Sequence, residues 1–346
     1  MDWTKGYSAH WRVYEVDSKT WADGGLLSGA TSVTINRDGA GEAPLMESGA
    51  VSLDTDISED FKERYLRIAM YAEQDDGATR VDVATLLFAS TTGNIDKGFD
   101  AVELTGRSVL YPASTKVLLT GTYAPKGVDG AQWCASMLRD AIQAPVEVFG
   151  SFTLETNTVF DGGTTYLACV WQILDAGGFV IQIAGNGTVQ IMPRPADPSI
   201  VLDAVGAQLL HPGMPYTMDW SKVPNRYTAI EGSNVATVVN DDSGSPVSTS
   251  SRGYVVDVLD TKPVRVNGES LEQYAARRLE ELSTVPDERT YVREYYPGVY
   301  PFSIARGNLS GMNLDGDLRI VTQALTCDKG ITVQEKAQRE VKLWQR

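Results

Sequence analysis

From Thr164 to Pro193 the chain reads TTYLACVWQILDAGGFVIQIAGNGTVQIMP, and no other stretch constrains the fold as tightly. Thr164 or Thr165 can cap a helix on which Leu167, Val170, Trp171 and Leu174 recur at helical spacing. Gly177-Gly178 supplies the left-handed freedom that ends a helix. Two apolar arms follow, 179–183 and 188–192, and Gly185-Asn186-Gly187 between them predicts a tight hairpin. Pro193 and Pro195 close the unit, because proline cannot donate to a ladder. A helix running into a hydrophobic hairpin is a packing module, and none of its side chains builds a nucleophilic or metal-binding device.

The flanks have a different period. Residues 7 to about 112 alternate in short runs, among them Trp11–Val16, Ser32–Ile35, Ala50–Leu53, Leu66–Met70, Val81–Phe88 and Ala101–Thr105. Asp23-Gly24-Gly25, Asp38-Gly39, Asp76-Gly77 and Thr92-Gly93-Asn94 separate them as turns. Such spacing predicts a sandwich or barrel. After Tyr111-Pro112 a helix starts at Asp129 and carries Trp133, Met137, Leu138, Ala141 and Ile142, stopping before Pro145. From Ile200 strands resume at Arg226–Ile230, Val235–Val239, Tyr254–Leu259, Tyr300–Ile304 and Leu318–Leu325. Residues 240–246 read as an exposed, mobile polar loop. One long helix near 270–284 is capped by Ser270 with Gln273 and has Leu271, Tyr274, Ala275, Leu279 and Leu282 as its stripe. The expected organisation is mainly β (α+β): a first β-region over 1–112, an α/β insertion over 113–199 and a second β-region over 200–346.

Chemistry is sparse. With 30 Lys and Arg against 45 Asp and Glu, the net charge is −15, which disfavours tight binding to nucleic acid or anionic membrane. Cys134, Cys169 and Cys327 are far apart, lack a CxxC spacing and read as buried thiols. The N-terminus MDWTKGYSAH has no apolar core of a signal peptide, and the longest apolar run falls short of the ~20 residues of a membrane helix. A soluble protein is expected. His10 and His211 have no triad context. Leu314-Asp315-Gly316-Asp317 is a fragment of a calcium loop without its terminal glutamate and reads as a turn. No catalytic, cofactor or metal site is expected. The densest acidic stretch is Asp54, Asp56, Glu59, Asp60 and Glu63, diluted by Lys62 and Arg64; it reads equally as a solvated face or as the lining of a channel.

Several runs, in order along the chain, carry a resemblance. They are Ser32–Arg37, Glu47–Leu53, Leu104–Ser108 leading to Leu110-Tyr111, the Thr164 helix with its hairpin, Val223–Tyr227, and Arg319–Gln323 leading to Gly330–Thr332. Together they resemble the hub proteins of tailed-bacteriophage baseplates and tail tips. The resemblance implies two tail-tube-like β-barrels flanking the α/β insertion, and a homotrimer whose pseudo-sixfold ring joins the tail tube to a spike or tip. It implies as partners the tube or distal tail ring, the spike or tip protein and the tape-measure protein, with DNA passing through unbound. The location implied is the virion tail, assembled in the host cytoplasm, without a membrane anchor or cofactor. Many relatives carry a C-terminal peptidase or lysin; this chain ends at Lys342–Arg346 without one, so no enzyme is expected. The alternatives are a receptor- or carbohydrate-binding tail module, with Trp3, Trp11, Trp21 and Trp220 as stacking surfaces, and a cell-wall hydrolase.

Overall fold

The computed structural model describes residues 1, 3, 6–39, 45–54, 63–75, 77–96, 99–202, 209–211, 216–217, 219–309, 314–328 and 330–345. The chain is mainly β. Its first part is seven strands: β1 (Ser8–Val16), β2 (Asp23–Leu26), β3 (Ala30–Asp38), β4 (Glu47–Leu53), β5 (Arg64–Gln74), β6 (Gly77–Asp96) and β7 (Phe99–Arg107). All their pairings are antiparallel, in the order β3-β4-β7-β6-β5-β1-β2. Alternation sorts the side chains: Val33 and Ile35 of β3, Val51 and Leu53 of β4, and Leu66, Ile68 and Met70 of β5 fill one core.

The next part comprises α1 (Tyr111–Thr115), β8 (Thr122–Ala124), α2 (Gly130–Ala141), β9 (Val146–Val148), β10 (Thr158–Phe160), α3 (Tyr166–Gly177), β11 (Phe179–Ile183) and β12 (Val189–Pro193). Asp129 caps α2, accepting from the N–H of Ala131 and of Gln132. Thr165 caps α3, and Gly178 ends it at φ 69° with its N–H on the Leu174 and Asp175 carbonyls. The arms β11 and β12 pair antiparallel from Phe179↔Pro193 to Ile183↔Val189, and β9 adds parallel to β12. Against this sheet α2 and α3 bury Leu138, Cys134, Leu167, Cys169, Val170 and Leu174. The helix–hairpin unit is as the sequence predicts, and all three cysteines are buried and unpaired.

The last part holds β13 (Pro198–Leu202), β14 (Leu209–His211), β15 (Tyr216–Thr217), β16 (Arg226–Glu231), β17 (Asn234–Val239), α4 (Thr249–Arg252), β18 (Asp257–Asp260), α5 (Leu271–Leu282), β19 (Thr284–Glu294), β20 (Ile304–Leu309), β21 (Leu314–Cys327) and β22 (Ile331–Lys342). One sequence expectation is corrected here. The strands at 226–260 do not join the large sheet; β17-β16-β18 form a separate three-stranded sheet beneath α5. The polar loop after β17 is exposed at 241–244 and at Pro246, and it is anchored by two buried residues: Asn240 Nδ2 donates to Ser245 Oγ at 2.9 Å, and that hydroxyl donates to Leu343 O at 2.7 Å.

Long β21 joins everything. Along one edge its residues 314–319 pair with β20 and its residues 322–327 pair with β3, while β22 runs along the other edge. The two β-regions thereby share one 14-stranded sheet, with the path β14-β19-β22-β21-β3-β4-β7-β6-β5-β1-β2. Among the described residues that path is open and does not close into a barrel.

Candidate functional site

The residues that most constrain the molecule lie where β3 meets β21. Along β3, Val33, Ile35 and Arg37 share the inward phase; along β22, Ile331, Val333 and Glu335 do. Charged groups therefore fall in register with core positions. Tyr291 of β19 faces Glu335 of β22, which faces Gln323 of β21, then Arg37 of β3, then Glu47 of β4. This row crosses five adjacent strands and is buried throughout. Arg37 donates Nε to Glu47 Oε1 at 2.9 Å and Nη1 to Gln323 Oε1 at 3.1 Å. Gln323 Nε2 donates to Glu335 Oε1 at 2.6 Å, and Arg293 grips both Glu335 oxygens at 2.8 and 2.5 Å.

With Glu47 ionised, the row's two cations, Arg37 and Arg293, balance its two anions, Glu47 and Glu335. Its chemistry is that of a register lock. A one-residue slip between β21 and β3 would point Gln323 away from Arg37 and strand buried charges on both sides. Among the described residues Glu47 Oε2 has no hydrogen-bond partner. Burial pushes the Glu47 carboxyl up to about 7, with Arg37 pulling it only partly back.

Tyr300 couples this row to the hairpin of the insertion. Its ring lies 4.9 Å from the Arg37 guanidinium carbon, and its hydroxyl accepts the N–H of Gly185 at 3.1 Å. The Gly185-Asn186-Gly187 turn is seated in a polar socket on the first β-region. Trp21 Nε1 and Arg67 Nη2 donate to Asn186 O at 2.8 and 3.0 Å, and Thr85 Oγ1 donates to Gly185 O at 3.0 Å. Arg67 is held in turn by Asp23 at 2.7 Å. A Cβ on Gly187 (φ 82°) would meet Thr85 at 2.8 Å and Trp21 at 2.9 Å. Gln182 Nε2 adds a bond to Pro301 O at 3.2 Å. Insertion and both β-regions thus meet at one point. Three of the four non-glycine residues with positive φ among those described, Trp21, Met46 and Phe302, flank it, and each such backbone costs on the order of 1–3 kcal/mol.

The residues singled out from sequence are placed elsewhere. Asp54 and Glu63 are exposed, and Asp56, Glu59 and Asp60 lie outside the described residues. Glu63 borders a cleft of about 630 Å³ with Glu15, Asp17 and Gln143, where Arg64 pairs with Glu15 at 2.7 Å. His10 stacks on Tyr71, with ring centroids 5.2 Å apart, and His211 sits in β14 opposite Val292. Asp317, in the calcium-loop fragment, lies in β21 and pairs with Arg306 at 2.8 Å. Among the described residues no three His, Cys, Asp or Glu converge on a metal position, and no helix is long and apolar enough to cross a membrane. Of the four tryptophans offered as stacking surfaces, Trp3 packs on Tyr7, Trp11 donates to Asp328 O at 2.8 Å and Trp21 serves the socket. Trp220 is the exposed one, at 55%.

This architecture is that of phage tail proteins. A tail protein from Neisseria meningitidis MC58 superposes with a TM-score of 0.69 at 12% identity, over 96% of this chain and 97% of that one. The 43 kDa tail protein of prophage MuSo2 from Shewanella oneidensis gives 0.62 at 12% identity, over 96% and 98%. Prophage tail protein gp18 from Listeria monocytogenes EGD-e gives 0.55 at 10% identity, over 95% and 94%. At these identities the likeness is one of fold. No family model matches the sequence, and no curated protein matches it.

Proposed function

We propose that the chain is a structural hub of a phage tail baseplate or tail tip. In this reading three copies close into a ring of pseudo-sixfold symmetry that joins the tail tube, or a distal tail ring, to a spike or tip. The observation that carries it is the fusion of two β-regions through β21 and the buried row from Tyr291 to Glu47. Locked in register, the two regions act as two rigid ring positions per chain, and closure of identical copies hides strand edges that an open sheet exposes. The division at 112/113 and 199/200 belongs to this reading, with the insertion as the spacer between positions. So do the tape-measure protein as a neighbour, the virion tail as the location after assembly in the host cytoplasm, and the absence of catalysis. Native mass spectrometry of purified tails tests it: three copies of this chain per hexameric tube ring are expected, and six copies would refute it.

The charge of −15 per chain fits a conduit. A basic wall would hold DNA through counterion release, whereas an acidic wall repels it only within a Debye length of about 8 Å. In this reading the bore is net acidic, with the Asp54, Asp56, Glu59, Asp60 and Glu63 stretch as the candidate lining. The assembled ring is expected not to retain duplex DNA at low salt; tight retention would contradict an acidic bore.

A further inference from the structure

The small sheet β17-β16-β18 has one edge that no other strand pairs with among the described residues. Helix α5 buries Tyr227, Ala229 and Val238 against Tyr274, Ala275 and Leu279. It packs chiefly over β16 and β17 and reaches β18 through Val258 and the Tyr274–Asp260 hydrogen bond of 2.7 Å. The helix therefore overhangs the β17 edge. Beyond that edge lies an open groove of about 610 Å³ between Val235 and Thr237 on one side and Leu271 and Glu272, in the first turn of α5, on the other. The space has the position of a fourth strand.

The backbone of β17 is ready to receive one. Asn240 donates its N–H to Asn225 O at 2.8 Å, across from β16. By strand alternation, Val238 and Ala236 also face β16, and Val235, Thr237 and Val239 aim their N–H and C=O groups outward. Among the described residues those groups bond to no other backbone. Exposed edges are ordinarily blunted by charge, proline or a bulge. At other edges, β18 carries Asp257 and Asp260, and β2 carries Asp23 beside two glycines. The β17 sequence NVATVV has no such guard, and its register against β16 is unbroken. Val235 is 62% exposed and Leu259, on the same outer face, 63%. The groove's charges, Glu231 and Glu272 against Arg265, sum to −1.

We propose that the free edge of β17 is a strand-addition site for an extended segment of a partner polypeptide, β-branched at alternate positions and of net positive charge to match the groove. Main-chain hydrogen bonds to Val235, Thr237 and Val239 supply affinity, and the apolar outer face and acidic groove supply selectivity. The site stands independently of the tail reading.

The test uses the full chain with a capped heptapeptide, Thr-Val-Lys-Val-Thr-Val-Thr, as probe. The outward amides of Val235, Thr237 and Val239 are expected to exchange about tenfold more slowly with peptide bound. Thr237→Pro deletes one outward N–H and spares the ladder to β16; it is expected to weaken binding about tenfold while Thr237→Val does not. Alternate N-methylation of the peptide leaves the protein untouched and is expected to give the same loss. Absence of β17 protection at millimolar peptide, or equal binding of the N-methylated peptide, would overturn the proposal. Protection of β17 by self-association without peptide would overturn the assignment of the occupant, marking a second copy instead.

Discussion

At Gly185 a Cβ would lie against the carbonyl oxygen of Asp82, and backbone cannot step aside as a side-chain tip can. Gly185→Ala is therefore expected to destabilise the chain by about 1–3 kcal/mol in urea unfolding, the usual cost of overpacking. Gly25, with open space around it, is the control: Gly25→Ala is expected to stay within ~0.5 kcal/mol. Glu47 makes a prediction in pH. Its carboxyl rises from an ordinary 4.5 to about 7 on burial, so between those values the folded chain keeps a proton that the unfolded chain releases. Stability through this group falls as pH rises from about 4.5 to 7, and Glu47→Gln is expected to remove that slope; an unchanged slope would contradict the assignment. Asp257 and Asp317, held low by hydrogen bonds to Arg226 and Arg306, contribute stability that is lost only as pH falls below the ordinary carboxylate range, outside this window. The phase of Arg37, Gln323 and Glu335 was legible in the sequence, since each continues an inward run of alternate apolar residues. That of Arg293 was not, because the three inward positions before it on β19 are Asp287, Arg289 and Tyr291, and the sequence pattern predicts no strand there. Their partnership was not. Arg37 and Gln323 are 286 residues apart, and no local pattern encodes that distance.

Among the elements, the helix–hairpin unit was legible because every signal in it is local: a threonine cap, a left-handed glycine and a three-residue turn. The socket that receives the turn was not, because Trp21 comes from the β1–β2 connection and Arg67 and Thr85 from β5 and β6, all far from the turn in sequence. The strands at 226–260 were legible as strands, but not as a separate sheet. Which sheet a strand joins depends on what covers it, and the alternation within 226–260 carries no sign that the helix α5 folds over these strands. Ser270 and Gln273 close a capping box on α5, and Ser270→Ala is expected to cost about 1 kcal/mol. Because α5 covers β16 and β17, that loss is expected to speed amide exchange in the small sheet before the large one. Equal acceleration in both sheets would mean that the small sheet has no stability of its own.

For the whole molecule, the mainly β class was legible from the period of two in both flanks. The continuity of the sheet through β21 was not, because parting or joining two β-regions takes the same alternation. That continuity joins the two β-regions in one sheet, and the proposal that each chain thereby supplies a rigid pair of ring positions is the central claim. A reconstruction of the assembled tail tip tests it most directly. The account predicts three copies around the axis, each contributing both β-regions to one ring of six similar positions. Six copies around the axis, or no ring of this chain at all, would contradict it.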